Sequence, residues 1–144
     1  MDVQKHIRAF VMADPEIAAQ IGTRFYPVKL PQTATFPALT LQRISGVRFQ
    51  PLKGPASLAR PRYQFDVWMK VADGVAAFSR TQMIGQLLRE RLEGQRTDVL
   101  DDSVMPAVIR RMWFEFDTDR DLFEPDVNGG YYRYSADYFI WHQT

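Results

Sequence analysis

The stretch Tyr131-Tyr132-Arg133-Tyr134-Ser135-Ala136-Asp137-Tyr138-Phe139-Ile140-Trp141-His142 decides the fold. Tyr132, Tyr134, Ala136, Tyr138 and Ile140 alternate with Arg133, Ser135, Asp137, Phe139 and Trp141. A period of two, rich in aromatics, signals a strand with one face in a core. Asn128-Gly129-Gly130 just before it tolerates positive φ and lets the chain reverse. Residues 108–117 carry the matching pattern. The two segments therefore read as an antiparallel pair, with an acidic loop over about 117–130 between them.

Working outward, residues 62–72 give the clearest strand. Tyr63, Phe65, Val67, Met69 and Val71 line one face, and Gln64, Asp66, Trp68 and Lys70 the other. Asp73 is placed to cap a helix over about 74–92, whose stripe is Phe78, Thr81, Gly85, Leu88 and Leu92, widened by Ile84. Gly94 ends it, and 95–106 reads as a polar connection. Upstream, 38–45 forms the first strand, with Leu39 and Leu41 on one face. Residues 23–36 are extended and irregular, because Pro27, Pro31 and Pro37 exclude a helix and a central strand. At the start, Val3, Ile7, Phe10 and Val11 fall at helical spacing. Asp14-Pro15 stops that helix and caps a second, with Pro in the first position and Gly22 closing it.

Helices and strands do not alternate strictly, so the expected class is α+β. The expected architecture is a roughly four-stranded, mainly antiparallel sheet with one long helix packed on one face and short N-terminal helices. The 144 residues make one domain, 1–144, large enough for a core without disulfides or metals. Residues 46–61 form a long loop or hairpin arm; an arm ordered by assembly and an ordinary surface loop both fit.

Charge is uneven. The charged residues from Arg43 to Arg62 are Arg43, Arg48, Lys53, Arg60 and Arg62, all basic. From Glu115 to Asp126 they are Glu115, Asp117, Asp119, Arg120, Asp121, Glu124 and Asp126. These segments could meet each other, meet across a repeated subunit contact, or stay solvated. Trp68, Trp113, Trp141 and Phe139 all fall in the polar register of their strands. The N-terminal helices or another chain should cover them, unless a bulge reverses their facing.

Chemistry is sparse. With no cysteine there is no disulfide, thiol nucleophile or thiolate metal site. His6 and His142 stand at opposite ends, outside any relay. Asp117-Thr118-Asp119-Arg120-Asp121 starts like a calcium loop, but Leu122 stands where the turn needs glycine and Asn128 where a bidentate carboxylate belongs. Glu115 and Asp117 could pair as acid and base without a visible pocket. Gly129-Gly130 lacks the helix and lysine of a phosphate loop. No run is long enough to span a membrane, and no signal peptide is visible. A net charge of +1 argues against a general polyanion binder. The expectation is no enzyme, no cofactor and no metal.

Arg120-Asp121-Leu122-Phe123-Glu124-Pro125 followed by Tyr131 to Trp141 resembles the closing signature of the tail completion proteins of long-tailed bacteriophages, also called tail terminators or tail-to-head joining proteins. In order, Ala13-Asp14-Pro15, Ile21-Gly22 and Arg24-Phe25-Tyr26-Pro27 resemble the family's opening. Residues 36–45 resemble its first strand, and 54–67 its loop and second strand. The likeness covers nearly the whole chain. It implies a structural α+β subunit that forms a hexameric ring at the head-proximal end of the tail tube. That ring would end tube growth and join tail to head, with genomic DNA passing through its lumen without specific binding.

The implied partners are further copies of the chain, the tail tube protein and the head-tail connector or stopper protein. The implied location is the virion tail, after assembly in the bacterial host cytoplasm. Charge and exposure nominate interface residues: Arg48, Phe49, Lys53 and Arg60 on the arm, and Asp119, Asp121, Glu124 and Asp126 on the acidic segment. Trp68, Trp113 and Trp141 join them. Two alternatives stand beside this: a head-side completion or stopper protein, and a small nucleic-acid-binding protein that uses the basic arm.

Overall fold

The computed structural model describes residues 1–46, 57–127 and 129–144. Among these, the order is α1 (Val3–Met12), α2 (Pro15–Ile21), β1 (Phe25–Pro27), β2 (Ala38–Ser45), β3 (Leu58–Ala59), β4 (Arg62–Lys70), a 3-10 turn (Val71–Asp73), α3 (Val75–Leu92), β5 (Arg96–Asp101), β6 (Val108–Glu124) and β7 (Tyr131–Gln143). The strands form one mixed sheet in the order β1-β2-β4-β7-β6-β5, with β3 added beside the end of β7. β1 runs parallel to β2, and the other pairings are antiparallel.

The four-stranded expectation is therefore wrong: the sheet has seven strands among the described residues. The additions are β1, β3 and β5, and each evades a hydrophobic pattern for a physical reason. β1 has three residues, ends in Pro27 and sits at an edge, where a missing N–H costs nothing. β3 has two residues. β5 is a polar edge strand, fixed less by apolar alternation than by its ladder to β6 and by the Arg111–Asp98 (3.0 Å) and Arg110–Asp101 (2.6 Å) pairs. The connection expected over 95–106 is thus partly strand. The acidic segment is corrected too. Residues up to Glu124 belong to β6, which runs for 17 residues, and only the remainder turns.

α3 occupies the segment expected to be helical, but it is one of three helices among the described residues rather than the single cover of a small sheet. Asp73 ends the 3-10 turn instead of capping α3, whose N-cap position is Gly74. Asp2 and Asp14 do cap their helices. The Asp2 carboxylate accepts from the Lys5 N–H (3.1 Å), and Asp14 from the Glu16 N–H (2.9 Å).

All three helices lie on one face of the sheet. Ile7, Val11, Ile17 and Ile21 from α1 and α2, and Ile84, Leu88 and Leu92 from α3, are buried with Leu39, Phe65, Val67, Phe114 and Tyr138. Phe10 stacks on Phe114 at 5.0 Å. α3 comes so close to β7 that a Cβ on Gly85 would sit 2.6 Å from the Tyr134 ring, so only glycine fits there. No helix among the described residues is long and apolar enough to cross a membrane.

One irregularity in β6 sets the surface chemistry. The register against β7 shifts between Phe116 and Thr118, which is a β-bulge. Before the bulge, Met112, Phe114 and Phe116 face the helices. Strict alternation beyond it would send Asp119 and Asp121 to the opposite face. The extra residue reverses this. Asp119 and Asp121 turn to the helix side, and Arg120 joins the helix-free side.

Candidate functional site

The helix-free face of the sheet gathers most of the residues singled out from sequence. It is built on β4 and β7, whose outward residues are Arg62, Gln64, Asp66 and Trp68, and Arg133, Ser135, Asp137, Phe139 and Trp141. β6 adds Trp113, Glu115, Asp117, Arg120 and Glu124.

Two aspartates sit in the middle of this face and are nonetheless buried, Asp66 at 5% and Asp137 at 5% exposure. The cover is arginine. Arg62 reaches Asp137 at 2.6 Å and Asp117 at 2.9 Å, and Arg120 reaches Asp137 at 3.6 Å. Arg133 lies 3.8 Å from Asp66 and 3.1 Å from Glu124. Arginine stems can cover apolar surface while their planar heads pair with carboxylates. Asp66 is the weakly served member: burial raises its carboxyl above the usual range, opposed by Ser135 and then Arg133.

The aromatics are woven into the same layer. Trp113 and Trp141, opposite each other on β6 and β7, stack at 5.6 Å with an 8° interplanar angle. The Arg60 guanidinium sits 3.6 Å from the centre of the Phe139 ring and 5.1 Å from that of Trp141, and pairs with Glu115 at 3.4 Å. The Trp141 indole donates to Glu115 (2.8 Å). At the other end, Trp68 donates to Thr40 (3.0 Å) and lies 5.2 Å from the Arg133 guanidinium. All three tryptophans are half-buried. The N-terminal helices, expected above as their cover, pack on the opposite face.

The nominated residues thus divide. Arg60, Trp113 and Trp141 come together, and Trp68 and Glu124 meet through Arg133. Asp119 and Asp121 do not join them: Asp119 accepts from the Tyr134 hydroxyl (2.8 Å) and Asp121 from Gln82 of α3 (3.3 Å). Burial first, and then this bond to Asp119, push the Tyr134 phenol well above its usual range. Asp126 lies in the turn after β6 and accepts from the Val127 N–H (2.8 Å). Arg48, Phe49 and Lys53 lie outside the described residues. Asp66, Arg133 and Asp137 were not nominated. Their signal is a charged residue at mid-strand on two strands that both read as central.

Chemically, the face suits protein docking. Aromatic rings and arginines are the side chains most often used as anchors. The arginines at the foot of the arm, Arg60 and Arg62, are paired with Glu115, Asp117 and Asp137, so the layer carries balanced charge instead of a basic stripe. Asp117-Thr118-Asp119-Arg120-Asp121 lies on a strand, with Asp117 and Asp119 on opposite faces, and not in a convergent loop.

The model of the family "Tail completion protein gp17" matches residues 5–143. The chain belongs to that family. It is a phage tail completion protein, a structural component of the virion tail that contacts other tail or head proteins. No curated protein matches the chain.

Proposed function

We propose that this tail completion protein caps the head-proximal end of the tail tube as a ring of identical copies, the hexamer that the resemblance implies. The ring ends tube polymerisation and joins the tail to the head connector. The supporting observation is the family match over residues 5–143, combined with a helix-free sheet face that carries the Trp113–Trp141 stack and the Arg60 contact. That face is the docking surface for a neighbouring ring. DNA passes through the lumen without specific binding, and the work is shape and repeated contact, without catalysis.

The test is electron microscopy of lysates from a phage or prophage in which this chain is truncated early. Filled heads beside abnormally long, headless tubes are expected. Emptied heads beside tails of normal length would move the protein to the head side of the joint. Intact virions would sink the proposal.

A further inference from the structure

Among the described residues, the sheet has one edge at β1 and another along β6 beyond the end of β5, and the two differ in charge. The charged side chains of residues 23–45 are all basic: Arg24, Lys29 and Arg43. This segment supplies β1 and β2, one edge of the sheet. The other edge is acidic. β5 pairs with β6 only from Val108 to Trp113, so β6 from Glu115 onward has β7 on one side and, among the described residues, no strand on the other. Glu115, Asp117, Asp119, Asp121 and Glu124 occupy that stretch, with Arg120 turned to the helix-free face and paired with Asp137. A long open edge strand exposes unpaired backbone groups to any strand that fits.

The edges also match in level and direction. The ladders place Phe25, Leu39, Val67, Tyr134 and Asp121 in one row, and Pro27, Leu41, Phe65, Ala136 and Asp119 in another. Both rows run from β1 at one edge to an aspartate at the other. β1 follows β2, and three antiparallel steps separate β2 from β6, so β1 and β6 point in opposite directions. A second copy set beside the first by a rotation that keeps the rows level would therefore bring its β1 antiparallel to β6.

Beside β1 lies a groove of about 380 Å³ lined by Lys5, Arg8, Thr23, Phe25, Tyr26 and Pro27, with Asp2 at its end. Lys5 and Arg8 are exposed on the helix side, the side to which the β6 bulge turns Asp119 and Asp121.

We infer that copies of this chain associate head to tail, with the acidic β6 edge of one copy docked on the β1 edge of the next, where Asp121 and Asp119 meet Lys5 and Arg8. Acidic edge against acidic edge would repel, as would basic against basic, which disfavours a two-fold dimer and leaves the heterologous contact that closes rings. This assignment rests on the ring proposed above and names the surface that builds it.

The test is a charge swap in the phage or prophage that carries the chain. Asp121→Lys and Arg8→Glu should each cut infectious particles at least tenfold, and the double variant should recover most of the loss. Both side chains are exposed, and thermal melts of the purified variants check that folding is kept. Single variants with full yield, or a double variant no better than the singles, would overturn the inference. Zero-length carbodiimide cross-linking of wild-type virions reads the same contact without a variant. A Lys5 link to Asp119 or Asp121 is expected, and it can form only between copies because α3 and three strands separate these groups within one. Lys5 linked elsewhere, with nothing on β6, counts against the contact. If truncation gives overlong tubes while these tests fail, the edge assignment falls and tube termination stands.

Discussion

On the helix side of the sheet, Leu39, Phe65, Val67 and Tyr138 are packed under α1, α2 and α3 with almost no exposure. On the other side, the same strands bury Asp66 and Asp137 under flat-lying arginines and leave three tryptophans half-covered. The first face is held by removal of apolar area from water, which needs no partner outside the chain. The second is held by ion pairs and ring contacts. The attraction in such pairs is largely offset by the cost of taking the buried carboxylates out of water, so they add little net stability. One face therefore accounts for folding, and the other keeps binding groups in place at little stability of its own.

The sharpest way to break this contrast is to truncate one large side chain on each face. Phe65 is fully buried, with its ring edge-on to Tyr138 at 5.4 Å. Phe65→Ala should cost about 3–5 kcal/mol of unfolding free energy in a denaturant melt, from lost transfer energy plus the cavity. Trp113→Ala removes one half of the exposed stack. It should cost less than half as much, roughly 1–2 kcal/mol, because the ring is only half-buried and loses mainly its pair contact. Its main effect should appear in assembly: folded protein, normal melting cooperativity and tails that fail to join heads. Equal stability losses at the two positions would mean that both faces belong to the core.

How much of this was legible in the sequence follows the same division. β4 and β7 could be read because each has a core face of regularly spaced apolar residues, as in Tyr63-Gln64-Phe65-Asp66-Val67. The capped start of α2 was readable from Asp14-Pro15. β1 and β5 were not readable, because edge strands need little burial and are fixed by neighbours distant in sequence. The bulge after Phe116 was not readable either. One extra residue leaves no mark on composition, yet it decides which face Asp119, Asp121 and Arg120 occupy. The tryptophans were correctly placed off the core face. Their arginine contacts were not, because Arg60 meets Trp141, and Arg133 meets Trp68, only after segments distant in sequence have paired.

The smallest predicted effect separates two buried aspartates by pH. Asp101 accepts from Arg110 (2.6 Å) and from the Ser103 hydroxyl, and these bonds hold its carboxyl well below the usual range. Asp66 has the Ser135 hydroxyl, the more distant Arg133 and an oxygen without a hydrogen-bond partner, so burial dominates and its carboxyl is raised. A lowered group stabilises the fold above its unfolded pKa, and that stability is lost as pH falls through the folded value. A raised carboxyl does the reverse: the folded chain holds the proton more tightly, so stability drains away as pH rises from the ordinary aspartate range through the raised value. Asp66→Asn removes that penalty while Arg133 keeps Glu124. It should melt above the wild type at neutral pH, with the gap closing as pH falls into the ordinary aspartate range. Asp101→Asn should melt below the wild type at neutral pH, with its deficit shrinking in acid. A melting difference for Asp66→Asn that is negative, or flat across pH, would show that Arg133 serves Asp66 as fully as Arg110 serves Asp101, and the contrast between a self-sufficient core and an under-satisfied docking face would lose its electrostatic support.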